Sequence, residues 1–531
     1  MSEKRIAIYD TTLRDGAQAQ GISFSPSGKV RLAERLDAFG VDYIEGGYAG
    51  SNEKDMAFFR EIKKRNLKHA KVVAFGSTRR ANTPIAEDPM VEFLLSADTP
   101  AVAIVGKSWD LHVRDVLRTT PEENLLMISE TVSHMKEKGR EVIYDAEHFF
   151  DGYKHNPEYA MQTVKAAADG GADYLVLCDT NGGSLPDDIY TATAAVIAST
   201  GTKVAIHPHN DMGLAVANSL AAVRAGAVQI QGTMNGYGER TGNANLITLI
   251  PILEMKMGYR AIHPGQLAKL SEMSQFVDEL TNQRPDVRAP FVGQASFSHK
   301  AGQHANAVGK NPATFEHISP ETVGNERRIL VSELSGGSNV LLKAVEMGVG
   351  RRASAEAKGE ILAALKDMES KGYEFEAADA SFHILIQKVL KAHKPFFELD
   401  GYRVIVEKRG KDEPCLTEAT IKVRVNGKVG HTVAEGRGPV DALNEALRRS
   451  LRAFYPEIKD VALTDYRVRI LNPEEATGAK TQVLIESSDG EATWGTVGVS
   501  ENIIEASWEA LVDGLEYKLF RDEENASGAS E

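Results

Sequence analysis

His207 and His209 stand two residues apart in AIHPHND, a spacing that in a β-strand turns both imidazoles to one face, where they can share a metal ion. Such a pair also fits a purely structural role. The run YDTTLRDG (9–16) sets Asp10, Arg14 and Asp15 around a single leucine, with no apolar pattern to explain the charges. Farther on, NGYGERTGNANL (235–246) combines glycines that let the backbone approach a ligand with Asn243, which can offer a carbonyl oxygen or simply cap the next helix. Two imidazoles, the Asp15 carboxylate and one amide oxygen leave two positions open on an octahedral divalent ion such as Mn, Mg or Zn. A 2-keto acid fills two such positions with its keto and carboxylate oxygens. Arg14 beside it would offset charge growing on the keto oxygen, and Thr180 could donate to the carboxylate. Glu147 would then stand near the incoming reagent as acid–base support, unless it only caps a helix.

These residues need a frame that gathers distant parts of the chain. Short β-branched runs alternate with amphipathic stretches, and eight are strand candidates: 5–10, 42–48, 71–76, 101–106, 141–147, 173–179, 203–209 and 228–233. The segment SGKVRLAERLDAFG shows the three- and four-residue apolar spacing of the intervening helices and closes on glycine. Eight βα units in about 260 residues predict a TIM (β/α)8 barrel, with the site residues at the carboxyl ends of strands one, five, six, seven and eight. An open doubly wound sheet is the alternative, but its first turn is normally glycine-rich, and here it reads TTLRDGAQ.

The predicted architecture is α/β: the barrel over 1–265, linker and helical subdomains over 266–390, an α+β regulatory domain over 391–520 and a disordered tail over 521–531. Past His263 the rhythm gives way to a polar, proline-bearing stretch reaching SELSGGSN (332–339), read as a surface linker. Helical patterns follow at 353–370 and 378–393. The last third repeats itself. TVAEGRGPVDALNEAL begins at Thr432 and TVGVSENIIEASWEAL at Thr496, an offset of 64 residues kept throughout, and each copy follows a hairpin with an Asn-Gly or Asp-Gly turn. An internal ββα repeat of this kind suits a small-anion site between paired helix starts or a plain dimerisation platform.

A formal charge of -14 and the lack of a basic patch argue against nucleic acid. Two cysteines, Cys178 and Cys415, fit a reducing cytosol. No stretch of about 18 apolar residues occurs, so no membrane partner and a cytoplasmic location are expected.

Taken together, DTTLRDG (10–16), HPHNDMGLA (207–215), GERTGN (238–243) and FSHKAGQHANAV (297–308) resemble the 2-isopropylmalate synthase and homocitrate synthase family of metal-dependent TIM-barrel acyltransferases. The likeness extends through the repeated carboxy-terminal domain. It implies a Claisen-type condensation of acetyl-CoA, as co-substrate, with a 2-keto acid. YDTTLRDGAQAQGISFS, GVDYIEGGYAGSNEKD and WGTVGVSENIIEASWEALVD are closer to the branch that takes pyruvate toward isoleucine than to the isopropylmalate branch. Carried over by motif, Asp15, His207 and His209 are metal ligands with Asn243 as a further ligand or neighbour, Arg14 steadies the keto oxygen and Glu147 is the catalytic carboxylate. His304 in KAGQHAN matches a histidine that reaches a partner's barrel, which implies a homodimer or higher; a surface histidine is the plainer reading. The resemblance also implies isoleucine as an effector. Phe315 stands where the family's pattern has a tyrosine, Ala49 where it has proline and Ala17 where many relatives have glutamate. A branched 2-keto acid as acceptor, a hydroxymethylglutaryl-type lyase and a non-catalytic amino-acid sensor are the competing readings; no cysteine lies between Cys178 and Cys415 to serve a lyase loop.

Overall fold

A computed structural model describes residues 4–50, 53–300, 302–329 and 355–528. Eight parallel strands close a barrel in sequential order. They are β1 (Ala7–Asp10), β2 (Tyr43–Tyr48), β3 (Lys71–Ser77), β4 (Ala101–Lys107), β5 (Glu141–Glu147), β6 (Tyr174–Asp179), β7 (Lys203–Pro208) and β8 (Gln229–Gly232). β1 completes the ring by pairing with β8, from Ala7↔Gln229 to Asp10↔Gly232. Both faces of these strands are covered, which is why they read as nearly continuous apolar runs. Alternate residues such as Tyr9, Val73, Phe75, Ile143 and Val176 fill the inside, while Ile8, Ile44, Val142 and Leu175 pack outward on the helices.

Local chemistry sets the helix ends. Ser25 starts the helix Pro26–Phe39 by accepting from the Gly28 amide at 3.0 Å, and Gly40 ends it at a φ of 99°. A bulge between Glu45 and Gly47 shifts the register of β2 against β3. Gly46 is required there, because a Cβ would meet the Phe58 ring at 2.3 Å.

The chain divides into two compact units: 1–297 with 318–327, and 298–317 with 328–531. The barrel unit thus runs past the expected boundary at 265. The stretch read as an irregular linker holds a helix, Leu270–Thr281, that buries Leu270, Met273 and Val277. Those three apolar residues keep helical spacing, but polar neighbours obscure it in the sequence. SELSGGSN lies outside the described residues.

In the second unit β9 (Ser298–His299) and β10 (Arg328–Ile329) form a short parallel pair. Helices follow at Ala355–Ser370 and Asp379–Val389. Two antiparallel three-stranded sheets come next. They are β11 (Glu398–Glu407), β12 (Leu416–Val425) and β13 (Lys428–Gly436), then β14 (Ala462–Ile470), β15 (Thr481–Ser488) and β16 (Thr493–Ser500). Each sheet is followed by a helix, Pro439–Arg452 and Ile503–Gly528. The repeat is therefore βββα rather than ββα. Its leading strands β11 and β14 are exposed along nearly their whole length, although Tyr466, Val468 and Ile470 of β14 alternate with charged residues. Asn426 and Gly427, at φ of 47° and 78°, make the two-residue hairpin turn. Both repeats feed one core containing Ile421, Leu447, Val483 and Leu511. The segment 521–531, expected to be disordered, is helical as far as Gly528, since Leu519 is buried and Arg521 pairs with Asp489. Among the described residues no helix is long and apolar enough to cross a membrane.

Candidate active site

The carboxyl ends of the strands surround a cavity of about 570 Å³. Arg14, Asp15, Glu147, Thr180, His207 and His209 all line it, so the segments singled out in the sequence converge. Asp15, His207 and His209 are buried, and one ligand atom from each lies within 4.8 Å of the others. His207 Nε2 is 3.1 Å from Asp15 Oδ2. Its other nitrogen, Nδ1, is 2.8 Å from Gln231 Oε1, an arrangement that fixes the ring and directs Nε2 at the cluster.

Asn243 sits beside them, its Nδ2 donating to Asp15 Oδ2 at 2.9 Å and 3.2 Å from His207 Nε2. The sequence leads one to expect the amide oxygen of Asn243 at the cluster. Instead Asn243 Oδ1, and also His209 Nδ1, are buried with no hydrogen-bond partner among the described residues. Turning the carboxamide over would present Oδ1 to a cation without a change of shape. A carboxylate, two imidazoles and a reversible amide, two of them with an unused buried atom, fit a divalent ion.

The charges are arranged to suit. Burial alone would raise the Asp15 pKa, but Arg14 and then His207 outweigh it and hold the carboxyl far below its ordinary range. Burial and the neighbouring His207 lower His209 to about 4, leaving a neutral imidazole with a lone pair to give. Burial disfavours the charge on Arg14, yet Asp15 and Glu45 overcome this and raise its pKa. Arg14 Nε donates to Glu45 Oε2 at 2.6 Å, its NH1 lies 3.4 Å from Asp15 Oδ2, and its guanidinium rests 4.0 Å above the centre of Phe75.

Glu147 stands at the rim in an ion pair with Lys107, both about one-quarter exposed. Thr180 Oγ1 accepts the His148 amide at 2.8 Å, which leaves its own proton to give. His148 holds a left-handed φ of 55°, an uncommon conformation for a non-glycine residue directly after β5. Asp10 and Asp179 take no place in the cavity wall. The first accepts from Thr12 at 3.0 and 2.7 Å, and the second holds Ser184 and Asn218. His304 lies in the second unit, exposed, its ring stacked on Phe315 at 4.0 Å between centroids. Glu45, Asp145, Gln231 and Lys107 were not singled out in the sequence. The available signal was a charge interrupting an apolar strand, as in DYIEGGY and EVIYDAE.

A closed parallel barrel whose strand ends gather a buried Asp–His–His cluster beside an arginine defines a class of metal-site barrel enzymes. Residues 5–277 match the HMGL-like family, 291–373 the homocitrate synthase post-HMGL domain-like family and 376–519 the LeuA allosteric (dimerisation) domain. The chain is 53% identical to "(R)-citramalate synthase" of Aquifex aeolicus over 99% of each protein, and 51% identical to that of Geobacter sulfurreducens over 98% of each. A "Probable 2-isopropylmalate synthase" of Methanopyrus kandleri is 32% identical over 96% of this chain and 98% of that protein. The chain belongs to the HMGL-like family and, within it, to the family of the (R)-citramalate synthases.

Proposed function

We propose that this chain is an (R)-citramalate synthase: an acyltransferase that joins the acetyl group of acetyl-CoA to the keto carbon of pyruvate and releases free CoA by hydrolysis. The full-length likeness to proteins of that name carries the reading. The cavity supplies a way to do it.

Asp15, His207 and His209, with the Asn243 oxygen turned inward, would hold a divalent cation, Mn, Mg or Zn; when bound it supplies a Lewis acid for the keto oxygen of the acceptor. The remaining work falls to side chains. Arg14 offsets the negative charge that builds on that oxygen during attack, and the Thr180 hydroxyl donates to the acceptor carboxylate. Glu147, oriented by Lys107, takes a proton from the acetyl methyl group. The resulting carbanion forms the new carbon–carbon bond, the keto oxygen gains a proton, and water cleaves the carbon–sulfur bond. His304 is assigned to the barrel of a second copy, in a dimer supported by the LeuA allosteric (dimerisation) domain, and isoleucine is the proposed effector of that domain.

Free thiol released from acetyl-CoA with pyruvate, against 2-oxoisovalerate, tests this directly. Faster release with pyruvate is expected. Preference for the branched acid would place the chain among isopropylmalate synthases, and no release with any metal would favour a sensor.

A further inference from the structure

GERTGN carries a second arginine that the scheme above leaves without work. Arg240 lines the cavity with Thr180 and Glu239, in the loop after β8. Its Nε and NH2 donate side by side to the two oxygens of Asp211, in the loop after β7, at 2.8 and 2.9 Å. NH2 also donates to the backbone carbonyl of Thr180, in the loop after β6, at 2.7 Å. One rigid fork thus ties together loops from three strands. The tie is tight, for Gly182 runs so close to Asp211 that a Cβ there would lie 2.5 Å from Oδ2. Arg240 itself holds a left-handed φ of 57°, a conformation that a non-glycine residue keeps only where its surroundings fix it.

The fork is not free to serve the acceptor as well. Nε is engaged by Asp211, the NH2 protons by Asp211 and the Thr180 carbonyl, and NH1 stands 3.9 Å from Glu239 Oε2. Asp211 also offsets the charge that would draw an anion to the guanidinium. What the arrangement does fix is Thr180. Its carbonyl is held from the loop after β8, and its Oγ1 accepts the His148 amide from the loop after β5 at 2.8 Å. Backbone and side chain are anchored independently, so the hydroxyl proton keeps one direction. A donor aimed at a carboxylate as small as that of a 2-keto acid depends on such anchoring, because a displacement of about 1 Å forfeits the contact.

Resting on the proposed condensation, we infer that Arg240 is a positioning residue: through its fork to Asp211 it sets the Thr180 loop so that the threonine hydroxyl meets the acceptor carboxylate. The test is a double-mutant cycle in the full-length metal-loaded enzyme, read as KM and kcat for pyruvate and as the pyruvate Kd from calorimetry without acetyl-CoA. KM and Kd do not depend on how much of a variant folds. Thr180→Val should raise both about tenfold. Arg240→Ala should raise both about fivefold while kcat falls less than about threefold. Arg240→Lys keeps the charge but not the fork, and should bind pyruvate as weakly as Arg240→Ala. In the Thr180→Val background Arg240→Ala should add less than about twofold, since no hydroxyl is left to position. Effects that multiply would mean that Arg240 acts on the acceptor without Thr180, and would overturn this assignment alone, as would an Arg240→Lys variant with wild-type pyruvate binding. A wild-type preference for 2-oxoisovalerate would overturn the proposed reaction, and the same cycle run with that acid would still decide the role of Arg240. Thiol release with neither acid would overturn both.

Discussion

Glu45 is fully buried and accepts from the Tyr9 hydroxyl, the Thr11 hydroxyl and Arg14. It touches no cavity space of its own, so its contribution is to hold the guanidinium in place. Glu45→Gln keeps the shape but gives up the charge, and should lower kcat for pyruvate by about 10²-fold while metal content stays unchanged. Elemental analysis beside the thiol assay separates the two effects. Gln231→Leu does the reverse. It removes the acceptor for His207 Nδ1, and metal affinity measured by competition with a chelator should weaken about 10- to 100-fold. Arg14, Asp15, His207 and His209 were legible in the sequence because four charged or metal-ligating residues fall in two short runs at the carboxyl ends of expected strands, where a shared ion accounts for them more fully than a structural role. Glu45, Asp145 and Gln231 were not, since each is one polar letter in an apolar strand and only the closed ring reveals which parity faces inward. The orientation of the Asn243 amide was beyond reach too, as it is set by Asp15 across 228 residues of sequence.

At the level of elements, the turn between β15 and β16 is pinned by Asp489. Burial raises its pKa, but the Ala492 and Glu491 amides, with Lys518 and Arg521 of the last helix, prevail and hold it well below the ordinary carboxylate range. A carboxyl depressed in the folded state adds stability that is present above its unfolded pKa and lost as pH falls through the folded one. Asp489→Asn should therefore cost about 1–3 kcal/mol near neutrality, and that difference should shrink below about pH 4. Denaturant unfolding followed by Trp494 fluorescence reports it, because Arg521 lies 5.1 Å over that ring. The eight barrel strands were readable because burial on both faces concentrates apolar residues. β11 and β14 stand outside that rule, since both are exposed along nearly their whole length although β14 alternates apolar and charged residues. On β14, Val468 and Ile470 share the face that turns Val483 into the core, yet are 43% and 57% exposed.

For the whole molecule, the Asp–His–His cluster belongs to one compact unit and His304 to the other, each with its own hydrophobic core. If His304 serves a partner's barrel, inactive Asp15→Asn and His304→Ala chains should rescue one another. Random mixing gives hybrids in half the dimers with one intact site each, so about a quarter of wild-type turnover is expected on co-refolding. No recovery above the separate variants would refute the assignment. Domain order was legible from the break in βα rhythm after His263, but the boundary was not, because the Leu270–Thr281 helix belongs to the barrel unit. The ring closes where β1 meets β8, and the cluster straddles that seam: Asp15 follows the first strand and Asn243 the last. A nascent chain emerging from the ribosome thus owns no complete set of donors until its eighth strand has docked, so a cation captured there acts as a clasp on the finished ring and the polypeptide stays chemically inert until roughly half of it has been made.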